Sequence, residues 1–285
     1  MNILELNKIN KKYDNQDDFA IKDVSFSLKE GYIMGLIGKN GAGKTSIINM
    51  IMNIVKLDSG NINIFKKDHI EYEKEIKDNI GFVYEDSNYY ERLSVYEMKN
   101  LIAPFYSKWN DDEFNNYLKR FEINGNKKIS ELSKGMKVKF SLSIALSHNA
   151  KLIIMDEPTS GLDPISRREI LDILQELIEK DNISVLFSTH ITTDLDKIAD
   201  FITYIDNGQV LFSKSKEELM DEYKIIKAGL TDLDKIDENI IIGINKTNLG
   251  FDGLIKSDSL NELKDIDYIL ETPVIEDLMY YMGRD

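Results

Sequence analysis

The chain of 285 residues contains no cysteine. That absence excludes a disulfide framework and any thiolate metal site, and it suits a reducing compartment such as the cytosol. Positive charge is scarce: 36 Lys and Arg face 50 Asp and Glu, a formal net charge of −14. Such a deficit argues against nucleic acid as a partner, because phosphate contact over a broad surface needs a basic face; any polyphosphate must be held locally. Long hydrophobic runs are missing as well. The best of them, Tyr32 to Ile37, Leu152 to Met155 and Ile183 to Phe187, fall far short of the ~20 residues needed to span a bilayer, so passage of anything across one would require other chains. The amino terminus, Met1 to Asn10, alternates polar and apolar residues where a secretory leader would have a basic start and an apolar run; it reads as a strand. No internal repeat or low-complexity tract is present.

What is present is an alternation of short apolar strands with helical patterns, which predicts an α/β fold around a largely parallel, doubly wound sheet with ligands at the carboxyl ends of its strands. Tyr32 to Ile37 runs into a glycine-rich turn and then a helix, with Ile47, Ile48, Ile51, Ile54 and Val55 at inward-facing spacings. Leu152 to Met155 reads as a buried strand. After it, Asp163-Pro164 opens a helix with Asp as cap and Pro at the first position, and Ile170, Leu174, Leu177 and Ile178 face the core. A third strand follows at Ile183 to Phe187. From about Tyr89 to Ser147 the spacing of Tyr96, Met98, Leu101 and Ile102, and later of Val138, Leu142, Ala145 and Leu146, predicts a helical subdomain within a first domain of residues 1–220. Residues 221–285 read as a small α+β appendage, with β segments at Ile240 to Ile244 and Gly250 to Leu254 and a closing helix at Pro273 to Tyr281.

Gly38-Lys39-Asn40-Gly41-Ala42-Gly43-Lys44-Thr45 fits the phosphate-loop pattern G-x-x-x-x-G-K-[ST], in the strand-to-helix context that the pattern requires. Glycines let the backbone wrap around phosphates, successive N–H groups and the helix amino terminus point at the anion, Lys44 adds charge, and Thr45 offers a hydroxyl to Mg²⁺. An acidic protein can bind a tetra-anion in this way. Leu152-Ile153-Ile154-Met155-Asp156-Glu157 is an apolar strand ending in two carboxylates. Alone it reads equally as a buried strand with a solvated end. Beside a phosphate loop, Asp156 is placed to hold the metal shell and Glu157 to polarise water.

Taken with Asn40 inside the loop, the segment Leu132-Ser133-Lys134-Gly135-Met136, Ser160-Gly161-Leu162-Asp163 and His190, the chain resembles ABC ATPases over about residues 1 to 220. The resemblance implies a P-loop NTPase fold with a RecA-like core, ATP and Mg²⁺ as cofactors, and ATP hydrolysis. Gly38, Asn40, Gly41, Ala42, Gly43, Lys44, Thr45 and Ser46 would bind the phosphates, and Tyr13 would stack on adenine. Glu85 would occupy the Q-loop position beside the metal, with Thr45 and Asp156 as the other metal residues. Ser133 and Gly135 would belong to the signature loop, Glu157 would be the water-activating base, and His190 the switch histidine. A lone tyrosine, glutamate or histidine is usually structural, so those assignments rest on position within the set. The resemblance further implies a head-to-tail dimer, with itself or with a sibling subunit, and an integral membrane permease that holds the ATPase at the cytoplasmic face of the membrane.

Two positions depart from the commonest pattern. Glu85 stands where glutamine is usual, and Leu-Ser-Lys-Gly-Met replaces Leu-Ser-Gly-Gly-Gln. A carboxylate near Mg²⁺ and a lysine near the opposing phosphates would partly offset one another in a closed dimer; the plain alternative is neutral drift at both. These departures, with the ending Thr272 to Tyr281, resemble Gram-positive ABC-2-type exporter ATPases, a group with members in antimicrobial-peptide resistance and peptide export. Two other readings compete. One is an ABC ATPase without a transport role, disfavoured by the single cassette, the short helical insert and the acidic balance. The other is a non-catalytic, regulatory ATP-binding cassette, disfavoured by the presence together of Lys44, Thr45, Asp156, Glu157 and His190.

Overall fold

The computed structural model describes residues 1–13, 20–84, 89–263 and 266–283. The chain opens with β1 (Asn2–Lys12), β2 (Ala20–Lys29) and β3 (Ile33–Ile37), and a glycine loop leads into α1 (Lys44–Ile51). β4 (Ser59–Ile64), β5 (Lys67–Asp68), α2 (Glu73–Lys77) and β6 (Ile80–Val83) follow. Three helices come next, α3 (Val95–Ile102), α4 (Asp111–Arg120) and α5 (Lys134–Ser147). Then β7 (Leu152–Asp156), α6 (Pro164–Asp181), β8 (Ser184–Thr189), α7 (Thr192–Ile198), β9 (Phe201–Asp206) and β10 (Gln209–Ser215) alternate. The last stretch holds α8 (Lys216–Glu222), β11 (Tyr223–Ala228), α9 (Leu230–Leu233), β12 (Ile241–Lys246), β13 (Phe251–Lys256), β14 (Tyr268–Glu271) and α10 (Ile275–Met282).

The described residues form three sheets. The central one has six strands in the order β10-β9-β3-β8-β7-β6, with parallel pairing from β9 through β6 and β10 antiparallel at one edge. Beside it lies the antiparallel sheet β2-β1-β4-β5. The third, β12-β13-β11-β14, is antiparallel throughout.

The inner strands of the central sheet, β3, β7 and β8, are buried on both faces, and their side chains alternate between two cores as the period of two demands. Ile153 and Met155 of β7 pack with Phe140, Leu174 and Phe187 on the helical side. Leu152 and Ile154 pack with Leu4, Leu36, Ile47 and Leu186 on the side of the antiparallel sheet. The third sheet is built the same way. Ile225 and Leu254 turn toward the helical core together with Ile275 and Leu278 of α10, while Ile226 and Ile255 turn into a smaller cluster with Leu233, Ile236 and Phe251.

The α/β, P-loop character expected from the alternation is what the chain adopts, and local differences have local causes. The helix after the glycine loop ends at Ile51, so Ile54 is exposed where the spacing placed it inward. Asn53 takes a left-handed conformation (φ 52°) just beyond the terminal Met52, an ordinary way to stop a helix. In α3, Met98 is buried but Tyr96 and Leu101 are exposed. The helix starts at Ser94, whose side chain accepts from the Glu97 N–H at 3.2 Å, with Glu97 returning a bond to the Ser94 N–H at 2.8 Å. That capping box fixes where the helix starts, and Val95 and Met98 form its buried face.

Candidate nucleotide site

The parallel register sets three strand ends side by side. Ile37 of β3 is opposite Thr189 of β8, and Ser188 of β8 is opposite Asp156 of β7. The residues that follow, Gly38, His190 and Glu157, therefore leave the sheet along one edge, where ligands of doubly wound sheets bind.

Backbone geometry explains why the loop must be glycine-rich. A Cβ at Gly38 would come within 2.3 Å of the Ile205 carbonyl oxygen, so the loop can pass under the β9–β10 turn only without a side chain. Gly43 caps α1 with φ 110°, a conformation that costs an L side chain dearly. Ala42 N–H donates to Lys39 O at 3.1 Å, and Gly208 N–H donates to Ala42 O at 3.0 Å, which tethers the loop to the β9–β10 turn. Asn40 and Gly41 are exposed on the outer rim, as is Thr45 in the first turn of α1, with Ser46 half-buried behind it.

Lys44 is only 6% exposed, and its ammonium has three partners: Gly38 O at 2.8 Å, Lys39 O at 3.3 Å and Glu157 Oε1 at 3.3 Å. Glu157 is buried to a similar degree and divides its oxygens. Oε1 faces Lys44, and Oε2 meets His190 Nδ1 at 2.7 Å and accepts from the His190 N–H at 3.3 Å. One carboxylate thus bridges the loop after β3 and the loop after β8. Glu157 adopts φ 48°, which for a non-glycine residue stores on the order of 1–3 kcal/mol. Its N–H is held by Ser188 O and Ser188 Oγ, both at 3.1 Å, and those bonds keep the strained turn in place.

Ser188 is the residue that sequence reasoning missed. It is fully buried, and its hydroxyl donates to Asp156 Oδ1 at 2.6 Å while accepting from Glu157 N–H. A polar residue inside the apolar strand Ser184–Thr189, two positions before a histidine, is the signal that pointed to it. Burial, and after it the negative charge of Asp156, holds the Tyr84 phenol above its ordinary range. Glu85 itself lies outside the described residues.

The remaining expected residues occupy other elements. Tyr13 follows β1 directly and is half-buried. Ser133 caps α5, its side chain accepting from Met136 N–H at 3.2 Å. Gly135 is buried where α5 crosses α6; a Cβ there would sit 3.1 Å from Ser166 Cβ. Asp163 caps α6 through Ile165 and Ser166 N–H, each at 3.0 Å, and the bonds from Ser166 hold its carboxyl below the usual range. Thus the structure gathers the phosphate loop, Asp156, Glu157 and His190, and leaves Ser133 and Gly135 on a separate helix start.

The donor set suits Mg-ATP. Loop amides and Lys44 offer positive potential to phosphates, while Thr45 and Asp156 offer two hard oxygens, the share of a magnesium shell that a protein supplies when phosphates and water complete it. Among the described residues no group of three or more His, Cys, Asp or Glu is gathered to hold a metal on its own.

Residues 21–160 match the ABC transporter family. Over 232 residues the chain is 30% identical to the ABC transporter ATP-binding protein YtrB of Bacillus subtilis, covering 81% of this chain and 78% of that protein. It is also 30% identical to the bacitracin transport ATP-binding protein BcrA of Bacillus licheniformis, covering 73% of this chain and 68% of that one. Among solved structures, a dimeric ATP-binding cassette in a post-hydrolysis state with ADP and Pi superposes with a TM-score of 0.66 at 26% identity, over 74% of this chain and 98% of that one. Fold and loop define a P-loop ATPase of the cassette type. The chain belongs to the ABC transporter ATP-binding family and is the ATP-hydrolysing subunit of a transporter.

Proposed function

We propose that this ATPase closes head to tail with a second copy or a sibling around two Mg-ATP, and that closure drives export of peptides or amphipathic toxic compounds through separate membrane subunits. The observation that carries this reading is the Glu157 carboxylate held between Lys44 and His190 at adjacent strand ends. In it the triphosphate lies along the Gly38–Thr45 loop with Lys44 and Asn40 at the phosphates and Tyr13 against the adenine. Magnesium would be held by Thr45 and Asp156, with Glu85 beside it, and would neutralise phosphate oxygens. Glu157 takes the proton of the attacking water once Lys44 turns to the phosphates, and His190 keeps the carboxylate aimed.

Ser133 and Gly135 cannot serve the loop of their own chain if they start a separate helix, which is why the reading needs a second cassette. The Ser133 hydroxyl accepts within its own turn and keeps its proton for a phosphate oxygen across the interface. The amino end of the 14-residue α5 adds positive potential there. Among the described residues no helix is long and apolar enough to cross a membrane, so a permease would hold the ATPase at the cytoplasmic face. Its docking place is a cavity of about 310 Å³ lined by Phe82, Tyr84, Tyr89, Met98, Tyr106 and His148, next to the polar and aromatic stretch Tyr89 to Leu93, which suits the grip of a cytoplasmic helix. Export, as opposed to uptake, is supported by a likeness to LnrL of Bacillus subtilis, a protein named for linearmycin resistance, since resistance to a compound calls for its removal. The phenol-soluble modulin exporter of staphylococci belongs to the group resembled in sequence, and an amphipathic peptide of that kind is the sort of cargo this reading implies.

Glu157→Gln tests the site. It is expected to retain Mg-ATP, to lose about 10²- to 10⁴-fold in turnover and to accumulate an ATP-bound dimer by size-exclusion chromatography; Lys44→Ala is expected to weaken binding itself. Hydrolysis by Glu157→Gln at the wild-type rate would remove Glu157 from the role of base.

A further inference from the structure

The carboxyl-terminal helix reaches the phosphate loop through the side chain of Lys39, whose carbonyl is one of the partners of Lys44. Lys39 Nζ donates to Gly283 O at 2.7 Å, just past the end of α10. Gly283 is pressed into place, because a Cβ on it would come within 2.6 Å of the Tyr204 hydroxyl oxygen and 3.4 Å of Lys39 Nζ. At the other end of α10, Ile275 N–H donates to Asp196 Oδ1 at 3.2 Å. Asp196 lies on α7, which begins two residues after His190.

Between its ends α10 is anchored by Ile275, Leu278 and Tyr281, all buried in the helical core with Phe187 and Tyr204. Its attachment to the third sheet is equally direct. The Tyr281 hydroxyl donates to Asp252 on β13, and Gly243 on β12, at φ 62°, comes close enough that a Cβ would lie 2.6 Å from Tyr281 O. One helix of eight residues therefore touches the third sheet, the segment after His190 and the phosphate loop.

We propose that Lys39 is a positioning residue for ATP binding, set by the carboxyl-terminal helix, so that the third sheet and the phosphate loop are thermodynamically coupled. The proposal rests on the reading of the Gly38–Thr45 loop as the ATP site. Its physical basis is the double use of Lys39. The main-chain carbonyl of Lys39 is one of the partners that hold the Lys44 ammonium, and it also accepts from Ala42 N–H. Its side chain is fixed by a carbonyl at the negative end of α10. An untethered lysine stem samples many rotamers. A tethered one holds both the carbonyl beneath Lys44 and a second positive charge at the shoulder of the loop. Linkage then makes the effect reciprocal: whatever factor helix docking adds to ATP affinity, ATP must add to helix docking.

The test uses the full chain, Mg-ATP and two variants, Lys39→Met and Lys39→Arg. Calorimetry is expected to show Lys39→Met binding Mg-ATP about three- to tenfold more weakly, the range for losing one hydrogen bond of ordinary net strength. Lys39→Arg should restore most of the loss, and the melting temperature without nucleotide should stay near wild type for both. Hydrogen exchange of the amides of residues 275–283 is expected to slow when Mg-ATP saturates the wild type, and to slow less in Lys39→Met. Wild-type affinity in Lys39→Met overturns the proposal. So does weakened affinity with exchange at 275–283 indifferent to Mg-ATP in the wild type, which would leave Lys39 acting on phosphate alone. If the wild type itself takes up no Mg-ATP, the reading of the loop fails first and the coupling falls with it.

Discussion

Strands β7 and β14 look alike as sequence, Leu-Ile-Ile-Met-Asp against Tyr-Ile-Leu-Glu, and their environments are opposite. All five residues of β7 are buried and all four of β14 are exposed. β7 pairs on both sides, with β6 and β8, and both its faces are covered; among the described residues β14 pairs with β11 alone. Apolar composition therefore tells which segments form strands but not which strands are enclosed. That depends on neighbours supplied from far along the chain. Enclosure also decides where chemistry can sit, since only a strand fixed on four sides can hold Asp156 and Glu157 at set distances from Ser188, Lys44 and His190.

That contrast can be broken by truncating core side chains around each strand. Phe187→Ala, beside Met155 on the neighbouring strand and fully buried, is expected to cost about 3–5 kcal/mol in denaturant unfolding. Ser188→Ala should leave the fold intact and lower ATPase turnover about 10- to 100-fold, the usual effect of deleting a side chain that orients a metal carboxylate, with Ser188→Thr recovering part of it.

A third variant probes the helical side of β6. Burial pushes His148 down to about 4 from an ordinary 6.5, and its ring stacks on Tyr106 at 3.7 Å. The folded state keeps the imidazole neutral while the unfolded chain protonates it. The stability His148 contributes is thus complete above pH ~6.5 and lost as pH falls toward ~4, by up to about 1.4 kcal/mol per pH unit. His148→Gln should flatten that part of the unfolding free energy between pH 6.5 and 4.5. The smallest effect is expected on β14, where Ile269→Thr at a 64% exposed site should change stability by less than about 0.5 kcal/mol. A loss comparable with Phe187→Ala would mean that the edge of the third sheet is covered in solution.

Much of the fold and of the candidate site was legible because its signals are local. Glycine spacing, a strand running into Asp156-Glu157 and a capped helix at Asp163 each lie within a few residues. Periodicity overran at Ile54 because it counts apolar residues and cannot see the left-handed turn at Asn53. β11 and β14 were not read as strands, since their partners in the sheet lie tens of residues away and β14 has no buried face to impose alternation. Lys39 meeting Gly283 is a contact across 244 residues, which no spacing in the chain can report.

Ser188 carries one more consequence. A hydroxyl owns a single proton, and here the acceptor is a carboxylate while the other neighbour is an amide that can only give. The orientation of the O–H bond is therefore settled by its surroundings, pointing toward Asp156 with a lone pair left for Glu157. Neutralising Asp156 would weaken the bond that sets this orientation, and exchanging serine for a thiol would keep the shape but weaken both halves of the relay.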